Sequence, residues 1–382
     1  MMPTDTRVEL TWEQARRARI AASGLIAPFA TAEEAAARLF GIQAQIEPAA
    51  GLALWNRTPS FTEEAFGAAL FAQRTLVKLW GQRGTLHAYA STDWPLLHGA
   101  RSINVTWWER QAADPANPLE DYRHHVDAVA ALLRSRPTMG RSDLRASDLE
   151  LHEDLYSGWG GIFADLVRLG HACHAGRAGG EGRFAAREQW LPHLEWNPPD
   201  ADTANIEVAR RFFAAYGPAT LGDFAYWRGC TQAQARAWLA ALGTELATLS
   251  VAGIPMLART DALDALAALP QGAAANEGIP LRMLFRFDPL LLGHRDKEWV
   301  APAAVYKRIW RPAGHIEGLV LHRGRAVATW RYARKASGLL VSVARFRPLP
   351  ATVTGKLPRV AADVARYFGL PLADLTYVDN LD

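Results

Sequence analysis

The chain has 382 residues, of which 49% are apolar and 21% charged, with 42 Lys and Arg against 39 Asp and Glu. That balance excludes a disordered or fibrous chain, and at ~100–200 residues per domain the length predicts two or three domains. No run of ~18 apolar residues predicts a membrane span, and MMPTDTRVEL lacks the apolar stretch of a signal peptide. Cys173 and Cys230 lack the spacing of a disulfide framework or a CxxC zinc site, so a cytoplasmic protein is expected.

Helix punctuation is legible from the start. Thr11-Trp12-Glu13-Gln14 reads as a capping box, with Trp12, Ala15, Ala18, Ala22 and Leu25 following at helical spacing. Thr31-Ala32-Glu33-Glu34 reads as a second box, opening a short helix that ends at Leu39-Phe40-Gly41. Pro48 suits the first turn of a third helix running to about Trp55. A fourth helix is expected over 62–71, then strands at 76–80 and 85–89 around Gly81-Gln82-Arg83-Gly84. Helices closed by such a hairpin make a winged helix.

The same order of elements recurs. Residues 120–190 give a loose copy: a helix at 120–135, then 142–149, a segment over 157–169, and a Gly-rich hairpin around 177–182. Residues 205–257 give a clearer one. A helix runs to Tyr216, Gly217-Pro218 breaks it, and a helix over 220–228 is stopped by Gly229. Thr231-Gln232-Ala233-Gln234 caps the next helix, and strands at 246–251 and 254–257 flank Ala252-Gly253. The expected fold is therefore α+β and mainly helical, with three tandem winged helix-turn-helix motifs over 1–100, 120–195 and 200–270. Links fall near 100–119 (Asp114-Pro115, Asn117-Pro118) and 192–204 (Asn197-Pro198-Pro199-Asp200). A β-rich part over 280–382 follows, with strands at 318–322, 325–332 and 339–346 and a final helix over 353–368.

That last part is also the basic part. Residues 282–347 hold fourteen Lys and Arg against four Asp and Glu, a net of +10, leaving −7 for the remaining 316 residues. A basic segment interleaved with Trp299, Tyr306, Trp310, Trp330 and Tyr332 is the footprint of a phosphate-facing surface.

Most catalytic signatures are missing: there is no GxxxxGK[ST] loop, no GxGxxG after a strand, no HExxH and no GxSxG. Gly158-Trp159-Gly160-Gly161 reads as a turn, and His124-His125 as a solvated helix face. His171 and Cys173 fall on one face of a strand and His174 on the other, which argues against a metal site, and no cofactor is expected. The unusual feature is Gly41-Ile42-Gln43-Ala44-Gln45-Ile46-Glu47-Pro48. If this link is extended, the amides of Gln43 and Gln45 project together near the start of the following helix, each with a carbonyl acceptor and two N–H donors. Such a pair suits holding a water or a base edge; spacing alone equally fits polar residues at a turn.

The QAQ element resembles the QΦQ motif of the AlkZ-like winged-helix DNA glycosylases, whose YcaQ-type relatives carry QΦD; here the Φ position is Ala44. LVKLWGQRGTLHAYA, AYGPATLGDFAYWRG, FDPLLLGHRDK and GLVLHRGRAVATWR are also similar to that family, so the resemblance spans nearly the whole chain. It implies a C-shaped body of three winged helices around a basic cleft. It also implies metal-free hydrolysis of the N-glycosidic bond of alkylated purines in double-stranded DNA, crosslinks included, by a monomer. Gln43 and Gln45 become the catalytic pair; Glu47 is a neighbouring carboxylate that nothing in the sequence brings to the site. Candidate DNA contacts are Arg83 and His87 in the first hairpin, His294, Arg295 and Lys297 in GHRDK, and Arg323, Arg325 and Arg331 in the basic hairpin. Two other readings remain at this point: a winged-helix regulator that binds DNA without chemistry, and a module that binds protein partners.

Overall fold

The computed structural model describes residues 8–113, 120–158 and 160–381. Asp114-Pro115, Asn117-Pro118 and Trp159 lie outside the described residues. The chain divides into two compact units, 67–205 and the pair of segments 1–66 with 206–382. Among the described residues, no helix is long and apolar enough to cross a membrane.

In the two-segment unit, local capping decides the helices. Thr11 accepts from the Gln14 N–H at 3.2 Å and Gln14 Oε1 accepts from the Thr11 N–H at 2.9 Å, closing the expected box at the head of Trp12–Ala22. Thr31 caps Ala32–Arg38 only half as expected: it accepts from Glu34 N, but Glu34 reaches back to Ala30 N instead of Thr31. Glu47–Trp55 carries Pro48 in its first turn. Leu221–Arg228 and Gln232–Leu242 open with reciprocal boxes, Thr220 with Asp223 and Thr231 with Gln234, and Gly229 ends the former in a left-handed conformation, φ 73°. Thr231→Ala therefore removes one first-turn acceptor and is expected to cost about 1 kcal/mol in denaturant unfolding. The hairpin Leu246–Val251 and Ile254–Arg259 follows as predicted, and Glu9–Leu10 adds a short parallel strand to it that periodicity did not reveal.

The C-terminal part of this unit is a twisted sheet in the order Leu372–Val378, Gly338–Arg345, Arg325–Lys335, Gly318–His322, Arg282–Leu284. All neighbours are antiparallel except the first pair, which is parallel and joined through the helix Ala351–Tyr367. A parallel pair needs such a crossover. The helix buries Leu357, Ala361, Val364 and Ala365 in one core cluster with Val341, Val343 and Trp330 of the sheet. The strand Leu372–Val378 was not anticipated; its alternate charged and polar residues hide the pattern.

The expected fourth helix widens after Glu63–Gly67 into one i→i+5 turn, Ala68–Ala72, closed by Gln73 N–H to Ala68 O at 2.7 Å, and this turn opens the 67–205 unit. Leu76–Trp80 pairs with Leu86–Ala90, and Ala172–Ala178 with Glu181–Ala186. The contact Lys78 with His174 joins both hairpins edge to edge in one sheet. Phe163 stacks on Phe184 at 4.3 Å, and the His174 ring lies 4.7 Å from Trp80 and 4.6 Å from Phe184. Glu120–Arg134, Arg141–Arg145 and Ile162–Arg168 are the observed helices of the loose copy. The first link contains a capped helix, Trp107–Ala112, and the second runs without regular structure to Ala201.

Candidate active site

The QAQ link leaves the helix Ala32–Arg38 through a Schellman turn. Phe40 N–H bonds Ala37 O at 3.2 Å and Gly41 N–H bonds Ala36 O at 2.9 Å, with φ of 48° at Phe40 and 98° at Gly41. A bulky residue in the left-handed region costs about 1–2 kcal/mol and persists only where packing fixes it. Here the Phe40 ring is buried, 6.5 Å from Trp227, with the Arg211 guanidinium 5.6 Å from its centroid. The chain then runs extended. Ile42 and Ala44 are fully buried, while Gln43 is 7% exposed and Gln45 lies on the surface. Alternation in an extended segment gives the two glutamines the face opposite Ile42 and Ala44. Ile46 begins the helix Glu47–Trp55 without a side-chain cap, and Glu47 stands half-buried in its first turn. Glu47 acts at a distance on Tyr367, whose hydroxyl is pushed up chiefly by burial and then by Glu63 and other neighbouring charges.

The candidate DNA contacts separate sharply by burial. Arg83, Arg295, Arg323 and Arg325 are exposed. His87, His294 and Lys297 are buried, at 5%, 1% and 3% exposure, so surface contact with a phosphate does not fit their placement. His87 donates from Nδ1 to Thr85 O at 2.9 Å, and burial pushes it down to about 3. It is neutral when folded, while the unfolded ring takes a proton below pH ~6.5, so stability is lost as pH falls through that point. His87→Asn keeps an N–H toward Thr85 without titrating. It is expected to flatten the fall in unfolding free energy between pH 7 and 5 by about 2 kcal/mol.

The GHRDK segment is a structural anchor. His294 Nε2 donates to Tyr216 O at 2.8 Å, Lys297 Nζ donates to His294 O, and Arg295 N–H donates to Asp223 at 2.7 Å. Asp288 just upstream pairs with Arg57 through two hydrogen bonds of 2.7 and 2.8 Å, both side chains fully buried. The basic segment is likewise partly self-neutralised. Buried Glu317 gathers Arg331 at 2.6 Å, Arg311 at 3.3 Å and Arg286 at 3.6 Å. Burial opposes its charge, but the Arg331 hydrogen bond and the three guanidiniums hold Glu317 below the usual carboxylate range. Nothing in the sequence marked Glu317, because its partners lie on three separate segments.

Two hairpin ends stay charged at the surface. At Arg323-Gly324-Arg325 the backbone seats on the first long helix, where a Cβ on Gly324 would meet Ile20 at 2.5 Å and Arg16 at 2.8 Å. The turn between Arg325–Lys335 and Gly338–Arg345 is exposed over 333–337 and carries Arg334, paired with Glu63, and Lys335. Sequence reading singled out only the first. Among the described residues, no three His, Cys, Asp or Glu side chains come together as a metal site. Cys173 is fully buried and its thiol is pushed up by that burial.

The link thus sets two glutamines beside each other on an extended segment, in a chain whose surface carries exposed arginines. Residues 36–367 match the DNA glycosylase AlkZ-like family, and the chain belongs to that family of DNA repair enzymes. It is 28% identical over 313 residues to the interstrand DNA cross-link repair glycosylase of Streptomyces sahachiroi, a match covering 78% of this chain and 82% of that protein. The solved structure of Streptomyces sahachiroi DNA glycosylase AlkZ is similar with a TM-score of 0.79 at 26% identity, over 97% of this chain and 100% of that one.

Proposed function

We propose that this chain hydrolyses the N-glycosidic bond of N7-alkylated purines in double-stranded DNA, with Gln43 and Gln45 placing the water and facing the sugar. The observation that carries the reading is the link itself, with Ile42 and Ala44 buried and the two glutamines on the other side. An N7-alkylguanine already bears positive charge. When C1′–N9 breaks, the bond's electron pair neutralises the base, so no acid is needed to protonate it. Water oxygen bonds to C1′, and its surplus proton passes to solvent. Glutamine carbonyls orient that water and stabilise the oxocarbenium-like sugar, but they do not take a proton at neutral pH. Glu47 is the carboxylate two residues beyond Gln45.

Interstrand crosslinks belong to the same proposal. A crosslinked guanine is tied to its partner strand and cannot be rotated into a closed pocket. An open cleft built by three winged-helix motifs in a C-shaped monomer suits that substrate, and the proposed setting is the bacterial cytoplasm. The test uses the leaving group: duplexes carrying one N7-methylguanine or the unmodified guanine at the same place. Release of the methylated base alone is expected, and comparable release of both would contradict a passive glutamine pair.

The proposed DNA-facing arginines are Arg83, Arg295, Arg323 and Arg325, with Lys335 on the second hairpin end. Duplex affinity should fall with salt by about 0.9 log units per phosphate contact for each tenfold rise. Arg323→Ala with Arg325→Ala is expected to reduce that slope by about two contacts; an unchanged slope would remove this turn from the DNA surface.

A further inference from the structure

Resting on the reading that Gln43 and Gln45 act on the substrate, we propose that Tyr216 and His294 are positioning residues that hold the QAQ link in its working conformation. The contact that carries the inference is Tyr216 Oη donating to Leu39 O at 3.2 Å. Leu39 is the residue at which the helix Ala32–Arg38 ends, four positions before Gln43, and it is fully buried. The carbonyls at a helix end have no partner within the helix. The Schellman turn uses those of Ala36 and Ala37. The Leu39 carbonyl is instead met by the phenol of a residue 177 positions away.

The same cluster fixes both sides of this contact. Trp227 lies 5.7 Å from the Tyr216 ring and 6.5 Å from the Phe40 ring, and Phe212 lies 5.3 Å from Tyr216. The left-handed Phe40 is thus packed by the group that aims the phenol at its neighbour. From behind, His294 Nε2 fixes the Tyr216 carbonyl at 2.8 Å, and Lys297 fixes the His294 carbonyl. Gly293 leaves the space the ring needs, since a Cβ there would lie 2.4 Å from it. A relay of hydrogen bonds therefore runs from GHRDK through Tyr216 to the residue that launches the link. None of its members needs to touch DNA. Water placement at C1′ tolerates little displacement, and an error of about 1 Å can lower a rate by up to ~100-fold.

The test separates position from stability. Tyr216→Phe keeps the ring and removes only the phenol donor. His294→Gln keeps an N–H at the reach of Nε2, whereas His294→Ala removes it. Single-turnover release of N7-methylguanine, duplex Kd and thermal midpoint would be measured for each, with Gln45→Ala as the reference. Tyr216→Phe is expected to slow release by about tenfold, with Kd unchanged and assays run well below its midpoint. His294→Ala should be slower than wild type, and His294→Gln should recover most of the rate. Wild-type rates in Tyr216→Phe, beside an inactive Gln45→Ala, would overturn the positioning role while leaving the glutamine reading intact. Full activity in Gln45→Ala would overturn both.

Discussion

Gln45→Ala is expected to lower the single-turnover rate of base release by about 100-fold or more while leaving duplex affinity unchanged. The side chain is exposed and follows fully buried Ala44, so truncation removes an amide without disturbing packing. On the proposed reading, what disappears is one of the two carbonyl dipoles that orient the water and face the developing sugar cation. Gln43→Ala should act in the same direction, with some loss of stability because Gln43 is 7% exposed and its replacement leaves a small void. Gln45→Asp gives the QΦD pattern of the YcaQ-type relatives. It is expected to retain release of cationic purines, since a carboxylate faces a cation at least as well as an amide. Rates measured with enzyme in excess check all three. Equal rates in wild type and Gln45→Ala would sink the assignment.

The second large effect is on folding. Asp288→Asn is expected to destabilise the protein by about 3–5 kcal/mol, because it leaves the Arg57 guanidinium buried without its counter-charge. Arg57 is fully buried, bonded to Ser23 O at 2.8 Å and Ala53 O at 2.8 Å as well as to both Asp288 oxygens. Asp288 also caps the short helix Pro289–Leu292 by accepting from Leu290 N at 3.0 Å. One residue thus ties the helix Glu47–Trp55 to the segment leading into GHRDK. Chemical denaturation read by tryptophan fluorescence checks this, and a midpoint unchanged from wild type would show that the pair is dispensable.

What the sequence revealed follows from the range of the forces involved. The boxes at Thr11 and Thr231 and the stop at Gly229 act within four residues, so the spacing predicts them and the structure contains them. The QAQ link was legible for a similar reason: a Gly, alternating polar residues and a Pro set an extended segment between two helices. Long-range partners were not legible. Glu9–Leu10 and Leu372–Val378 become strands only because a remote parallel edge accepts them. Thr31 lost half its expected box because Glu34 found Ala30 closer at hand. The basic segment misled in one specific way. Lys297 and His294 read as surface groups by charge, yet main-chain carbonyls satisfy their N–H groups inside the fold, and Glu317 engages three arginines that composition counted as available. Net charge located the basic region, but only burial distinguishes the cations that face outward.

The most direct test of the account is recovery of free base from a duplex containing one N7-methylguanine, comparing wild type with the Gln43→Ala/Gln45→Ala double variant at matched DNA occupancy. The account predicts free N7-methylguanine and an abasic strand from the wild type, and intact DNA from the double variant that still binds. Base release by the double variant at the wild-type rate, or tight binding by the wild type with no release, would contradict it.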